Sequence, residues 1–309
     1  MKKLSIIIPV YNNEENLKMM YAGLKEGVLG SLVYDYEIIM VDDGSADGSF
    51  AVMEELASID KHIELVKLSR NFGEHAALLA GLNMCTGDCA CKKSADAQEP
   101  PKLILDFLEK YEAGNDVVLA VRESRNEPFT QRFLSNRYAA IMRKHALANM
   151  PVGGFDSFLI DRKVIDVLVS MDELNTSLMS QILWSGFKTT QVPYTRLERA
   201  AGKSGWSFSK KVKLAMDSLL GFSTFPIKVI TGVGSVSFTV SLLWLICALI
   251  YGGVSDEGAD RFAVLILLMF LLFGMLMLAV GMLGQYLWRT FDAARRRPVF
   301  IIEKVKKND

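Results

Sequence analysis

Along the first half of the chain, two hydrophobic periods alternate. Residues 4–10, Leu-Ser-Ile-Ile-Ile-Pro-Val, form an almost unbroken aliphatic run, the pattern of a strand buried on both faces. The run breaks at Tyr11-Asn12-Asn13, and from Glu14 to Leu24 apolar positions recur at helical spacing. Residues 36–41 predict a second strand, which ends in the turn cluster Asp42-Asp43-Gly44-Ser45 before a helix over 49–59. A third strand over 63–68 precedes a helix over 75–84, and a strand-like segment follows Gly87-Asp88. Residues 117–121 predict a later strand ending at Arg122, followed by a basic helical stretch over 125–142. Strand and helix taking turns at these lengths predict parallel pairing with right-handed crossovers, hence an open α/β sheet. In such sheets ligands bind beyond the carboxyl ends of the strands. Tyr11, the Asp42-Asp43 pair and Arg70 all fall there.

The second half changes character. No charged residue lies between Lys228 and Asp256, nor between Arg261 and Arg289, so two apolar runs reach the roughly 20 residues a bilayer core requires. Transmembrane helices are expected over about 229–251 and 262–288, giving a span region of 228–290. The link between them carries Asp256, Glu257 and Asp260, whereas Arg289, Arg295, Arg296 and Arg297 follow the second run. The positive-inside tendency then puts the basic tail, 291–309, and the large domain, 1–205, on the cytoplasmic side. Residues 207–220, with Lys210, Lys211 and Lys213, predict an amphipathic helix resting in the lipid interface, within a connecting region of 206–227. The opening Met-Lys-Lys is followed by an apolar stretch too short for a cleavable signal. Small residues in the second span allow a homo-oligomer.

Overall charge singles out no partner, because 35 basic residues face 35 acidic ones, and no nucleic-acid partner is expected. Cys85, Cys89, Cys91 and Cys247 are the four cysteines. No nearby histidine or fourth cysteine completes a tetrahedral metal site, so the first three read as small buried hydrophobes. His62, His75 and His145 are scattered and receive no catalytic role. Trp184 and Trp206 read as packing or interfacial residues.

The stretch richest in chemistry is Ser94-Ala95-Asp96-Ala97-Gln98-Glu99-Pro100-Pro101. A carboxylate at a strand end, with an amide oxygen two residues on, suits a hard divalent cation that keeps positions open for a diphosphate. A polar turn closed by two prolines accounts for the same residues. Arg122, Arg125 and Arg132, at and beyond the end of the late strand, and Arg199 in the segment 194–204 offer planar forks of the kind that meet phosphate oxygens in pairs. Each is equally readable as solvated surface charge.

Together these stretches are similar to the family 2 glycosyltransferases, specifically the polyprenyl-phosphate group related to dolichyl-phosphate mannose synthase and bacterial undecaprenyl-phosphate glucosyl transferases. The resemblance rests on Ile8-Pro9-Val10-Tyr11-Asn12, on residues 41–48 and 95–101, on Leu68-Ser69-Arg70-Asn71-Phe72-Gly73, Gly154-Phe155-Asp156 and Gly202-Lys203-Ser204. They occur in the family's order over nearly the whole chain. The resemblance implies a nucleotide-diphospho-sugar (GT-A) fold and transfer of a sugar from a UDP- or GDP-linked donor to a polyprenyl phosphate. Inversion by single displacement would give a β-linked lipid monosaccharide for cell-envelope glycosylation, made at a bacterial-type inner membrane. Pro9, Tyr11, Asn13, Asp42, Asp43, Arg70 and Ser94 are implied in donor binding. Asp96 and Gln98 are implied to hold Mg2+ or Mn2+ against the diphosphate. Arg122, Arg125, Arg132, Arg199, Lys203 and Ser204 are implied at the acceptor phosphate, and Asp96, Arg122 and Asp156 in catalysis. Two positions depart from the family: Asn13 stands where Glu is common, and Ser94 where an Asp completes Asp-x-Asp. A processive polysaccharide synthase is a rival, although its Gln-x-x-Arg-Trp segment is missing. The two departures also leave room for a non-catalytic membrane scaffold.

Overall fold

The structure is a computed structural model that describes residues 1–123, 137, 140, 142–144, 146–147, 149–151, 154–171, 173, 176–197, 223, 227–236, 239–240, 243 and 259–307. The chain divides into two compact units. The first comprises Met1–Ser218 with Pro298–Asp309, and the second comprises Leu219–Arg297.

In the first unit, strands β1 (Lys3–Val10), β2 (Asp35–Asp42), β3 (Ile63–Leu68) and β4 (Cys89–Lys92) alternate with helices α1 (Glu14–Gly27), α2 (Ser49–Ile59) and α3 (Glu74–Met84). Helix α4 (Leu103–Glu112), β5 (Val117–Arg122), β6 (Ser157–Asp161), helices α5 (Arg162–Ser170) and α6 (Leu178–Trp184), and β7 (Thr189–Tyr194) follow. A last strand, β8 (Ile302–Lys306), comes from the carboxyl terminus. The eight strands form one sheet in the order β7-β5-β6-β4-β1-β2-β3-β8. Pairs β1–β2, β1–β4, β2–β3 and β5–β7 are parallel, whereas β6 and β8 run antiparallel to their neighbours.

The aliphatic run of β1 is buried on both faces, as the sequence pattern requires: Leu4, Ile6, Ile7 and Ile8 are all sealed. Helix α1 covers one face through Leu17, Met20, Tyr21 and Leu24, spaced three and four apart. Helix α3 is buried nearly all round from Ala76 to Leu82, because it lies flat on β1 and β2; a side chain on Gly81 would meet Ile7 Cγ2 at 2.5 Å. Cys85, Cys89 and Cys91 are free and buried, and burial pushes the Cys89 thiol up to about 12.

The order of the strands positions the site. The chain steps outward from β1 to β2 and β3, then returns to the other side of β1 for β4. The switch point therefore lies between β1 and β4, where crossover connections diverge and leave a crevice at the strands' carboxyl ends.

The carboxyl-terminal segment holds a surprise relative to the expected tail. It pairs with the outer edge of β3, with Ser69 N–H donating to the Ile301 carbonyl at 3.0 Å and Lys67 and Glu303 forming an ion pair. Alternation in so short a stretch, Ile-Glu-Lys-Val-Lys, leaves little periodic signal, and only the exposed edge of β3 gives it a partner.

The second unit contains a short apolar helix, α7 (Ile227–Val236), and a long one, α8 (Ala259–Arg295). Among the described residues, only the portion Leu272–Arg295 is long and apolar enough to cross a membrane. The region expected to form the interfacial helix and most of the first span lie outside the described residues.

Candidate active site

Three groups of side chains gather along the carboxyl-end edge of the sheet. The first surrounds the β2 turn. Asp42 and Asp43 close β2 and are almost fully buried. The Asp42 Oδ1 atom accepts from the Ser45 amide at 3.1 Å, while its buried Oδ2 has no hydrogen-bond partner among the described residues. Asp43 binds the backbone beyond β3, accepting from the amides of Phe72 at 2.7 Å and Gly73 at 2.9 Å. Burial raises the Asp43 carboxyl above its ordinary range despite these two amides. Gly44, at φ +66°, allows the turn to press against Arg70 and Asn71, so the two loops are in backbone contact. Arg70 lies over the Phe72 ring, 4.0 Å from its centroid.

The β1 loop completes this group. Asn12, in the left-handed region at φ 49°, donates its amide to Ser45 Oγ and accepts the Ala46 amide on Oδ1. Asn13 donates its amide to Ser49 Oγ at 2.8 Å and its side-chain NH2 to the Tyr11 carbonyl. Its side chain thus braces the loop that carries the exposed Tyr11 ring. Pro9 lies in β1 opposite Val41.

The second group is the turn after β4. Asp96 Oδ1 accepts from Ser94 Oγ at 2.7 Å and from the Gln98 amide at 3.2 Å, with Ala97 in the left-handed region at φ 55°. Asp96 Oδ2 and Gln98 Oε1 both accept from Nη2 of Arg196. Two hard oxygen donors thus converge on one cationic point. Beneath the turn, the carboxylate of Glu99 receives the Ser94 amide at 2.9 Å, and Lys93 donates to the Glu99 carbonyl. Burial raises the Glu99 carboxyl and lowers the Lys93 amine, an effect each partner's charge opposes. Among the described residues no group of three or more His, Cys, Asp or Glu side chains gathers as a ready metal cluster.

The third group joins β5, β6 and β7. Because β6 is antiparallel, its start lies at the edge where β4 and β5 end, with Ser157 opposite Ala120. Asp156, just before it, accepts from Arg122 Nε at 2.7 Å and on both oxygens from the Tyr194 hydroxyl at 2.8 Å. Lys92, fully enclosed at the end of β4, donates to the Asp156 carbonyl at 2.7 Å and pairs with Glu74. The strand end 92–99 therefore ties the second group to the third.

Of the residues singled out from the sequence, Pro9, Tyr11, Asn13, Asp42, Asp43, Arg70, Ser94, Asp96, Gln98, Arg122 and Asp156 all fall on this edge. Arg125, Arg132, Arg199, Lys203 and Ser204 lie outside the described residues. Sequence reasoning passed over Arg196, Tyr194, Lys92, Lys93 and Glu99. A signal existed for the lysines, since adjacent charges at the end of a buried strand require a partner. Arg196 carried none, because its contacts span about a hundred residues.

A sequence profile of the family described as Glycosyl transferase family 2 matches residues 5–168. The chain is 34% identical over 301 residues to the uncharacterized glycosyltransferase YkcC of Bacillus subtilis, covering 97% of this chain and 93% of that one. It is 34% identical over 313 residues to the undecaprenyl-phosphate 4-deoxy-4-formamido-L-arabinose transferase of Proteus mirabilis, covering 98% and 94%. To the bactoprenol glucosyl transferase of Shigella phage SfV it is 31% identical over 309 residues, covering 99% of each. Among solved structures, glucosyl-3-phosphoglycerate synthase from Mycobacterium tuberculosis, in complex with Mn2+, uridine diphosphate and phosphoglyceric acid, aligns with a TM-score of 0.51 at 14% identity, over 71% of this chain and 76% of that one. That likeness concerns the fold, which is GT-A-like. The family match and the end-to-end relatives make this chain a member of glycosyl transferase family 2, within its polyprenyl-phosphate glycosyltransferase group.

Proposed function

We propose that the chain transfers a sugar, with inversion, from a nucleotide-diphospho-sugar to a polyprenyl phosphate at the cytoplasmic face of a membrane. The observation that carries this reading is the state of Asp156. Its two carboxylate oxygens are engaged by Arg122 and Tyr194, so it orients a cation and is not aligned as a base for an incoming hydroxyl. An acceptor that brings its own negative charge needs no such base. It needs positioning and charge compensation, which the Arg122 guanidinium supplies. The names of two full-length relatives, an undecaprenyl-phosphate sugar transferase and a bactoprenol glucosyl transferase, support the same acceptor class.

In this reading the β2 turn receives the nucleotide. The buried Oδ2 of Asp42 is an acceptor for a base or ribose hydrogen, since buried polar atoms call for partners, and Tyr11 offers an exposed ring for stacking. Asp96 and Gln98, with oxygens that converge on one point, fit a divalent ion such as Mg2+ or Mn2+. Bound there, such an ion neutralises charge on the departing diphosphate. Ser94 aligns Asp96 through its hydroxyl, so the position that is commonly a carboxylate serves here as a support. The acceptor's phosphate oxygen then attacks the anomeric carbon, and the bond to the diphosphate breaks with its electron pair leaving on the nucleotide. Arg125, Arg132, Arg199, Lys203 and Ser204 are proposed to hold the lipid phosphate.

Chain connectivity supports two membrane spans. The chain leaves the sheet unit near residue 218 and returns as β8, so each crossing must be matched by a second. In α8, Leu276, Leu278, Leu283 and Leu287 are exposed, as lipid-facing side chains would be. The decisive experiment incubates purified protein and its Asp96→Ala variant with undecaprenyl phosphate, divalent ion and a panel of UDP- and GDP-sugars, and weighs the lipid product. A single-sugar lipid from the parent and none from a folded variant is expected; near-normal transfer by Asp96→Ala would overturn the metal assignment.

A further inference from the structure

The guanidinium of Arg196 occupies the point on which the proposed metal ligands converge. Its Nη2 donates to Asp96 Oδ2 at 3.2 Å and to Gln98 Oε1. The neighbouring backbone is pinned to the same turn: Leu197 N–H donates to the Gln98 carbonyl at 2.9 Å, and Gln98 Nε2 donates to the Leu197 carbonyl at 3.2 Å. Arg196 is therefore held beside Asp96 and Gln98 by bonds that do not involve its own side chain. Its side chain is about one third exposed, which leaves it room to rotate.

We propose that Arg196 is a resident counter-ion of the donor site, which holds Asp96 and Gln98 in place in the unloaded protein and is displaced when a divalent ion and a nucleotide diphosphate load together. The inference rests on the reading of Asp96 and Gln98 as metal ligands. A guanidinium and a dication that draw on the same two oxygens exclude one another, since they compete for lone pairs and repel. A metal ion arriving alone must displace Arg196 without offering it another anion. A diphosphate supplies one, because phosphate oxygens match the guanidinium fork. Metal and nucleotide should then bind with positive coupling, and part of that coupling should run through this side chain.

The test measures Mn2+ binding to the full-length protein by calorimetry and by electron paramagnetic resonance of the free ion, alone and with UDP or GDP. Arg196→Met removes the charge while keeping an unbranched side chain. It should bind Mn2+ alone about 3- to 10-fold more tightly than the parent, the range expected for losing a competing, partly exposed ion pair. The tightening that nucleotide confers should shrink by a similar factor. Arg196→Lys, which keeps a charge but not the fork, should fall between the two, and it provides the comparison if Arg196→Met proves unstable in a thermal melt. Equal or weaker Mn2+ affinity in Arg196→Met would overturn the inference and leave the metal reading standing. Absence of Mn2+ binding to parent and variants with either nucleotide would overturn both.

Discussion

Replacing Gly44 by Ala perturbs the place where the β2 turn meets the loop after β3. Gly44 has φ +66°, and a Cβ there would lie 2.5 Å from the Arg70 carbonyl carbon, 2.6 Å from the Asn71 nitrogen and 2.9 Å from Arg70 Cα, against ordinary contacts from 3.4 Å. The obstructing atoms are all backbone, so no rotamer change relieves the clash. The loops must part by most of an ångström. A left-handed conformation costs a non-glycine residue about 1–2 kcal/mol, and inserting a group into a packed site costs about 1–3 kcal/mol more. The expected loss is therefore about 2–5 kcal/mol. Separation of the loops also stretches the amide bonds from Phe72 and Gly73 to the Asp43 carboxylate, each a charge-assisted bond of about 1.5–3 kcal/mol. Thermal or denaturant unfolding of the sheet unit in the intact protein would report the first effect, and titration with UDP and GDP the second, with affinity reduced at least about tenfold. Gly30→Ala is the control, because nothing lies within 4 Å of its Cβ position. Stability within about 0.5 kcal/mol of the parent together with unchanged nucleotide affinity would refute the reasoning.

Tyr194→Phe removes the hydroxyl that bridges both Asp156 oxygens; loss of a hydrogen bond to a charged group, about 1.5–3 kcal/mol, should slow sugar transfer by about tenfold or more while nucleotide affinity stays within about twofold, as steady-state kinetics and titration would register. His75, whose ring burial lowers from 6.5 to about 4, stays neutral in the fold while the unfolded chain takes up a proton. Stability should accordingly fall as pH drops below about 6.5 and level off below about 4, by about 3 kcal/mol in total. His75→Gln should flatten that part of the stability profile, and an unchanged acid limb would exclude His75 as its source. Ending the chain at Arg297 strips β8 from β3, whose four paired positions at about 0.5–1.5 kcal/mol per hydrogen bond predict a loss of a few kcal/mol. The bared edge should also promote aggregation, visible by light scattering; a truncated protein that stays monodisperse with unchanged melting would show the strand to be dispensable.

Local pattern was sufficient for much of this protein. The aliphatic runs of β1 and β2 had to be doubly buried strands, because apolar residues at successive positions, Ile6-Ile7-Ile8 and Ile38-Ile39-Met40-Val41, leave no solvated face. The alternation with helices fixed parallel crossovers, and hence put Tyr11, Asp42, Asp43 and Asp96 at one edge of a sheet. The paired aspartates and the Ser94 to Pro101 turn were legible because polar residues at buried strand ends require a reason. What only the tertiary structure decided were relations between distant segments. Arg196 meets Asp96 and Gln98, and Tyr194 and Arg122 close on Asp156, across separations of tens of residues to about a hundred. No local period encodes such a meeting. The same holds for β8, a five-residue stretch with weak patterning, which becomes a strand because β3 presents an unpaired row of backbone donors and acceptors. Propensity and periodicity act over a few turns of chain, whereas the partner of a charge or of a sheet edge is set by how the whole sheet is wound.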